Sequence, residues 1–500
     1  MTSIAQSQSQ IRTGPAGIII TIGLAAALSA TVVFGGALAI FAVAGAVGFA
    51  VFVRYPILGL YVSTVLLLVG GASANLGVFN LDVPASLGKL SAAVAIPAWL
   101  INTVLYRKPV VLTWEMVFLG GFMGWSLLGV VYAETYATQW GEWLRLANIA
   151  AYLVFTVHVL NTRERIHTYT IVLLSCAALM SLYAIFQYVN PNLQVQGDAG
   201  LAAVGAGEEK AYIDSEGVDS GAAVRVSGRT GHSNWLAFTL VMLLPLNVYW
   251  LSVAKSLSAR MLIGLVVVLE LAALVFTFTR MGALVGSIVI LFLVIKQLVR
   301  LTPERLAVLA IAAIVGWTLL PGAYKERVFS FADNPEMKST EARLTLQEYA
   351  WNYAQDAPFM GVGVSGFGLR FVHEDHWLSA HLRWLIKERN WEALYYGPHN
   401  LYLQVAAETG FPGLILLLGV VLLLLMRLQR TQSALRELKE IDLARLAGLL
   451  QVSLIAFLLC GVFLHALNQK IWWMVIALAI ALCYHQRQVI GERPRKPVQT

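Results

Sequence analysis

The chain has 500 residues, of which 58% are hydrophobic and 13% charged, with a mean hydropathy of +0.71. Soluble domains are typically about a quarter charged, so a soluble enzyme is excluded and an all-α polytopic integral membrane protein is expected. The net charge of +7 does not require nucleic acid as a partner, because lysine and arginine in cytosolic loops are its ordinary source in a membrane protein.

Residues 1–16 carry one arginine and no small-residue cleavage site, and read as a cytosolic tail rather than a signal peptide. From Gly14 to Val53 no residue is charged. Apolar runs then recur at 17–34, 36–53, 57–71, 88–104, 112–132, 144–160, 167–189, 233–252, 261–279, 281–297, 305–321, 401–426, 444–466 and 470–485. The third, fourth and last are short against the roughly 18 residues that cross a bilayer core, so about 12–14 transmembrane helices are expected. Cys176, Cys460 and Cys483 all lie within or beside these runs, where they serve as small apolar packing rather than as a disulfide or metal framework.

Basic residues alternate along the chain as the positive-inside rule requires. Arg54, Arg107, Lys108, Arg163, Arg165, Lys255, Arg260, Lys296 and the stretch from Arg427 to Arg445 fall on one side, with Arg487 and the tail. Both termini are therefore expected in the cytosol. The resulting division is a tail at 1–16, a transmembrane bundle at 17–189, an outer loop at 190–232, core helices at 233–320, a large helical outer loop at 321–400, final helices at 401–485 and a tail at 486–500.

Arginines on the outer side run against the charge bias and need a reason. Arg225 and Arg229 lie in the first outer segment, Arg343 in the second, and Arg280 in a minimal turn between two apolar runs. Beside a membrane the usual reason is an anionic partner, because a guanidinium fork holds phosphate oxygens in pairs. His399 stands where the second outer segment re-enters the membrane. Each also has a plain structural account: a snorkelling arginine, a loop ion pair for Arg229 with Glu208 or Asp214, a capping histidine. His373, His376 and His381 beside Glu374 and Asp375 lack paired-ligand spacing, and an interfacial amphipathic helix accounts for them better than zinc. The run from Gly361 to Gly366 has no following lysine and reads as a tight turn rather than a nucleotide loop.

The order of these pieces is similar to one known family. Arg225-x-x-Gly228-x-x-Gly231-x-x-Asn234-x-x-Ala237 comes first, then Thr279-Arg280-x-Gly282. Arg343 and Trp351 precede Ala357-Pro358-Phe359-Met360-Gly361-Val362-Gly363, and Pro398-His399-Asn400-x-Tyr402-Leu403 and Glu408-Thr409-Gly410 close the series. This resembles the O-antigen ligase and polymerase superfamily over roughly residues 225–413. The chain departs in having His232-Ser233-Asn234 where the family usually has Asn-Pro-Asn.

The resemblance implies a metal-independent, inverting glycosyltransferase of the bacterial inner membrane, with its active site facing the periplasm and no cofactor. The donor would be a glycan on undecaprenyl diphosphate. The acceptor would be a sugar hydroxyl of the lipid A core in a ligase, a second lipid-linked repeat in a polymerase, or a protein hydroxyl in a relative. Arg225 and Arg280 would bind the diphosphate and stabilise the charge that grows on it. His399 would accept the acceptor's proton, and the two arginines would disfavour its protonated form. Arg229, Arg343, Asn234, Asn400 and Tyr402 would contact substrate. The long loop from Val372 to Tyr396, rich in His, Trp and Arg, suits an anionic lipid core and tips the reading towards ligase. A carrier or channel is the competing class. Against it, Glu270 is the one clear charge deep in a span, Glu115 lies near a span start, and polar chemistry collects at the outer surface.

Overall fold

The computed structural model describes residues 37–70, 74–76, 81–83, 87–133, 135–190, 226–228, 230, 232–296, 298, 302–304, 318, 336–389 and 396–491. The expected spans at 17–34 and 305–321, Thr318 excepted, the tail at 1–16 and residues 492–500 lie outside that set, while residues 486–491, expected in the second tail, continue the last helix.

The described chain is helical apart from a minimal hairpin, β1 (Ala74–Leu76) against β2 (Leu81–Val83), paired Ala74 to Val83. Ahead of it run α1 (Ala37–Arg54) and α2 (Pro56–Leu68); after it come α3 (Leu87–Leu105), α4 (Trp114–Val131), α5 (Tyr136–Val159) and α6 (Arg163–Val189). The second half holds α7 (Ser233–Val253), α8 (Leu257–Phe276), α9 (Arg280–Ile295), α10 (Glu336–Asp356), α11 (Gly366–Phe371), α12 (Trp377–Arg389), α13 (Leu401–Glu437), α14 (Ile441–Gly461) and α15 (Lys470–Gly491). Seven of these, α3, α4, α6, α7, α8, α13 and α14, are long and apolar enough to cross a membrane. Part of α1, with α2 and α9, adds three shorter apolar helices, and α5 and α15 occupy two more of the expected positions. The chain is an all-α polytopic membrane protein.

Burial sorts the helices. In α14, 78% of the most apolar window is buried inside the protein, against 11% in α8. The apolar side chains of α8, such as Met261, Leu265 and Val268, point outward, which is stable only against lipid. α15 lies at the centre with Trp472 and Trp473 fully enclosed, their indole N–H groups donating to the Ala466 and Leu467 carbonyls.

Three boundaries differ from the sequence expectation. α5 begins at Tyr136, about two turns before the apolar run, because Gln139 and Glu142 are buried against protein rather than exposed to lipid. α14 ends at Gly461, so His465 belongs to a loop and not to a span. α13 continues to Glu437 but is kinked at Gly410, whose backbone is not helical (φ 69°, ψ 176°); the part after the kink alone makes about 40 Å of helix against a hydrocarbon core of about 30 Å.

Three of the basic residues expected on one side, Arg54, Lys108 and Arg165, act on one another electrostatically. The Lys108 ammonium is held below the usual lysine range by partial desolvation and by Arg165 and Arg54. Arg163 pairs with Glu440 at 2.7 Å and Asp442 at 3.4 Å near the same end.

Inside the bundle Glu115 of α4, with no solvent exposure, is paired with Arg427 of α13. Breaking a buried pair by removing one partner typically costs about 3–5 kcal/mol. Arg427→Met is therefore expected to lower the thermal midpoint of the detergent-solubilised protein, and Glu115→Met added to it should recover much of the loss.

Candidate functional site

The site is built where α7, α9 and α13 begin and where the 462–469 loop joins α14 to α15. The starts of α7 and α13 are capped by side chains of the motif series, whereas Thr279 before α9 makes no capping hydrogen bond. Asn400 caps α13, its Oδ1 accepting from the amides of Tyr402 at 2.9 Å and Leu403 at 3.0 Å. An asparagine cap of this kind satisfies two of the otherwise orphaned amides. The Asn400 amide also donates to the Val462 carbonyl, and the Tyr402 hydroxyl donates to the Leu458 carbonyl at 2.5 Å. Asn400 and Tyr402 thus bind the start of α13 to the end of α14.

His399 precedes this cap at φ +50°, a left-handed conformation that few side-chain-bearing residues adopt and that recurs at functional sites. Its ring lies edge-to-face with that of His465, centroids 5.0 Å apart. Desolvation lowers the His399 pKa well below the ordinary histidine value; His465, Arg343 and His232 push in the same direction. The residue as a whole is only partly buried. A histidine in this setting is a neutral base at pH 7.

At the start of α7 the His232 Nδ1 accepts from the Asn234 amide at 3.1 Å, so histidine serves here as an N-cap. The Asn234 side-chain oxygen accepts from Thr279 Oγ1 at 3.3 Å. That bond ties the first motif to the turn before Arg280, the first residue of α9. The same two helices touch lower down: a Cβ at Gly282 would lie 3.0 Å from that of Ala237, so these motif positions mark a helix contact. Phe278, two residues before Arg280, also sits in the left-handed region at φ +50°.

The predicted residues can now be placed. Arg343 of α10 acts electrostatically on His399. From His399 a continuous path leads through His465 and Trp235 (ring centroids 6.5 Å apart) to His232 and Asn234, then to Thr279 and Arg280. Arg225 and Arg229 lie outside the described residues. Their neighbour Val226 donates to the Phe276 carbonyl at 3.1 Å, and the Ser227 and Gly228 amides donate to the Gln187 side chain. The turn is therefore fastened between the end of α6 and the approach to Arg280.

The remaining motif residues are structural. Gly361 and Gly410, both at positive φ, let two backbones touch; a Cβ at Gly361 would lie 2.4 Å from the Glu408 carbonyl carbon, and one at Gly410 2.1 Å from the Phe359 oxygen. Val362 donates to Ala407, Phe411 to Pro358, and the Trp125 indole to both Phe359 and Thr409. The glycine run is a tight turn, as its sequence suggests. Glu408, almost wholly buried, accepts from the Ser365 and Phe367 amides at the start of α11. In the histidine-rich segment Glu374 accepts from the Tyr353 hydroxyl at 2.6 Å, His376 Nδ1 accepts from the Leu378 amide, and His381 stacks on Trp384. Among the described residues no group of three His, Cys, Asp or Glu is placed to hold a metal ion.

Sequence reasoning missed His465, which looked like the end of an apolar span. The signal was present in Phe463-Leu464-His465-Ala466-Leu467-Asn468-Gln469-Lys470, where polar residues break an otherwise apolar run.

Comparison with known proteins gives one family. The model described as O-Antigen ligase matches residues 263–418, a region that contains Arg280, Arg343, His399 and Glu408 but not Arg225, Asn234 or His465. A search of curated proteins finds no match.

Proposed function

Residues 263–418 place the chain in the O-antigen ligase and polymerase superfamily, and from that premise we propose that it transfers a glycan from undecaprenyl diphosphate to an acceptor hydroxyl. The acceptor is the lipid A core, both termini are cytosolic, and the site faces the periplasm of a bacterial inner membrane. The observation that carries this reading is His399: a neutral imidazole at a membrane junction, beside Arg343 and joined through the start of α7 to Arg280.

In the proposed reaction the acceptor oxygen attacks the anomeric carbon as the bond to the diphosphate breaks. The electron pair leaves on the diphosphate, and the hydroxyl proton passes to His399. Direct displacement inverts the anomeric centre and asks no metal of the chain. Arg280, with Arg225 from the neighbouring turn, holds the diphosphate, while Arg343 and Arg229 contribute positive field. Asn234 acts by fixing the Thr279–Arg280 turn, and Asn400 and Tyr402 by fixing the backbone that presents His399.

The ligase assignment draws on α12. Leu378, Leu382 and Ile386 face the core of the outer helices, while Trp377 and Trp384 are exposed. Exposed tryptophans with Arg383 on the same helix suit the headgroup layer, where a lipid-borne phosphorylated acceptor would dock. Proteoliposomes supplied with an undecaprenyl-diphosphate glycan and, separately, lipid A core, a second lipid-linked glycan or a peptide decide the acceptor. Transfer to lipid A core alone is expected. Transfer only to the lipid-linked glycan makes the enzyme a polymerase, and solute flux without transfer makes the protein a carrier.

A further inference from the structure

His465 is a residue that the proposed mechanism does not use, and it lies beyond the matched family region. Its ring is held tightly. A Cβ at Gly397 would meet His465 Cγ at 2.8 Å and Cδ2 at 2.9 Å, so glycine at 397 is what allows the ring to lie flat against the segment leading to His399. Trp235 of α7 closes the other flank in a T-shaped contact. Inside this packing the His465 Nδ1 is buried with no hydrogen-bond partner among the described residues. Buried polar atoms without partners are rare in folded proteins, and each asks for a reason.

The reason offered by the geometry is the other imidazole. Ring centroids 5.0 Å apart bring the two rings close, and a modest rotation of the His399 ring turns one of its nitrogens towards His465. We infer that His465 is the positioning residue for His399: its unprotonated Nδ1 accepts a hydrogen bond from the His399 ring once that ring has taken the acceptor's proton. This rests on the reading of His399 as general base.

The role resembles that of the third member of a catalytic triad, which orients the base and stabilises its protonated form, with a neutral imidazole in place of a carboxylate. Neutrality is secured by burial, which brings the His465 pKa down to about 4. At pH 7 His465 therefore offers a lone pair rather than a repelling charge; its repulsion of His399 operates only in acid. The other groups acting on His399 are Arg343 from α10 and His232 from the cap of α7. Both oppose a protonated His399, so an acceptor that favours it has something to offset.

The test compares His465→Phe, which fills the space without an acceptor, with His465→Gln, whose amide oxygen can still accept. Glycan transfer is measured in proteoliposomes as kcat, donor KM and the pH profile of kcat/KM. His465→Phe is expected to lower kcat about tenfold or more at unchanged donor KM, because part of the base's contribution is lost. Its acid limb should move to lower pH, since the protonated His399 has lost a partner. His465→Gln should recover most of the rate. If His465→Phe does not fold, Gly397→Ala in the otherwise unaltered chain, which drives a methyl into the His465 ring, should lower kcat with the same shift of the acid limb. Wild-type kcat and an unmoved limb in the folded variant, Phe or Ala, overturn the inference, as does a Gln variant no better than Phe. Wild-type transfer by His399→Ala would instead remove the base assignment itself, whereas an inactive His399→Ala beside a fully active His465→Phe removes this inference alone.

Discussion

His399→Ala is expected to lower glycan transfer by about two to four orders of magnitude, the usual range for loss of a general base, equivalent to about 3–5.5 kcal/mol of barrier. Donor binding should survive, since the diphosphate contacts are assigned to arginines. The fall should therefore appear in kcat with little change in donor KM, measured in proteoliposomes under saturating acceptor. The pH profile carries a second expectation. Burial and the neighbouring cations hold the His399 pKa well below 6.5, so kcat/KM should stay level from pH 7 through 6.5 and fall only further into acid, as the ring becomes protonated. A limb centred at or above 6.5 would place the working base elsewhere.

Arg280→Ala carries the other large effect. In the proposed reaction the charge that develops on a departing diphosphate would be met by the Arg280 guanidinium at the first turn of α9, where the positive helix end would add to it. Removing one such stabilising group typically costs about 10²- to 10³-fold in kcat. Arg280→Lys should recover only part of the rate, since an ammonium keeps the charge but loses the paired geometry. Release of undecaprenyl diphosphate, followed with transfer, separates loss of chemistry from loss of binding. Wild-type kcat in Arg280→Ala would remove Arg280 from the mechanism.

Much of this protein is legible in its residues because bilayers impose length and hydropathy so strictly. The spans carried by α6 and α7 need only a long run without charge to be found, and the order of short motifs leads to the family. What resists reading is contact between distant helices. Glu115 and Arg427 are 312 positions apart, and neither shows its partner in its own surroundings. Glu408 stands within an apolar stretch as though it were a membrane charge, yet it clasps the start of α11, an element a short glycine-rich segment hardly announces. Asn400 and Tyr402 are expected as substrate contacts, and the packing of their side chains is a separate role that the sequence does not announce. Their side chains cap α13 and tie it to α14, which is how a motif can accompany chemistry by supporting it. His465 was hidden for the opposite reason: hydropathy averaged over a window carries the span past Gly461, while the backbone turns there and brings the ring back towards His399.

The glycines repeat this lesson. Gly361, Gly397 and Gly410 say little about their roles in the sequence, and each stands where another chain segment approaches too closely for a side chain. The close approach is what they permit: α10 and α11 pack against α13 around its kink at Gly410, and the His399 segment lies flat on His465.

The central claim is that His399 and Arg280 serve one reaction centre, and a structure with bound substrates tests it most directly. The full-length protein would be imaged in nanodiscs with a non-cleavable undecaprenyl diphosphonate glycan and lipid A core. The account predicts the diphosphonate against the Arg280 guanidinium and an acceptor hydroxyl within about 2.6–3.2 Å of a His399 ring nitrogen. A diphosphonate bound away from Arg280, or an acceptor that never approaches His399, would contradict it.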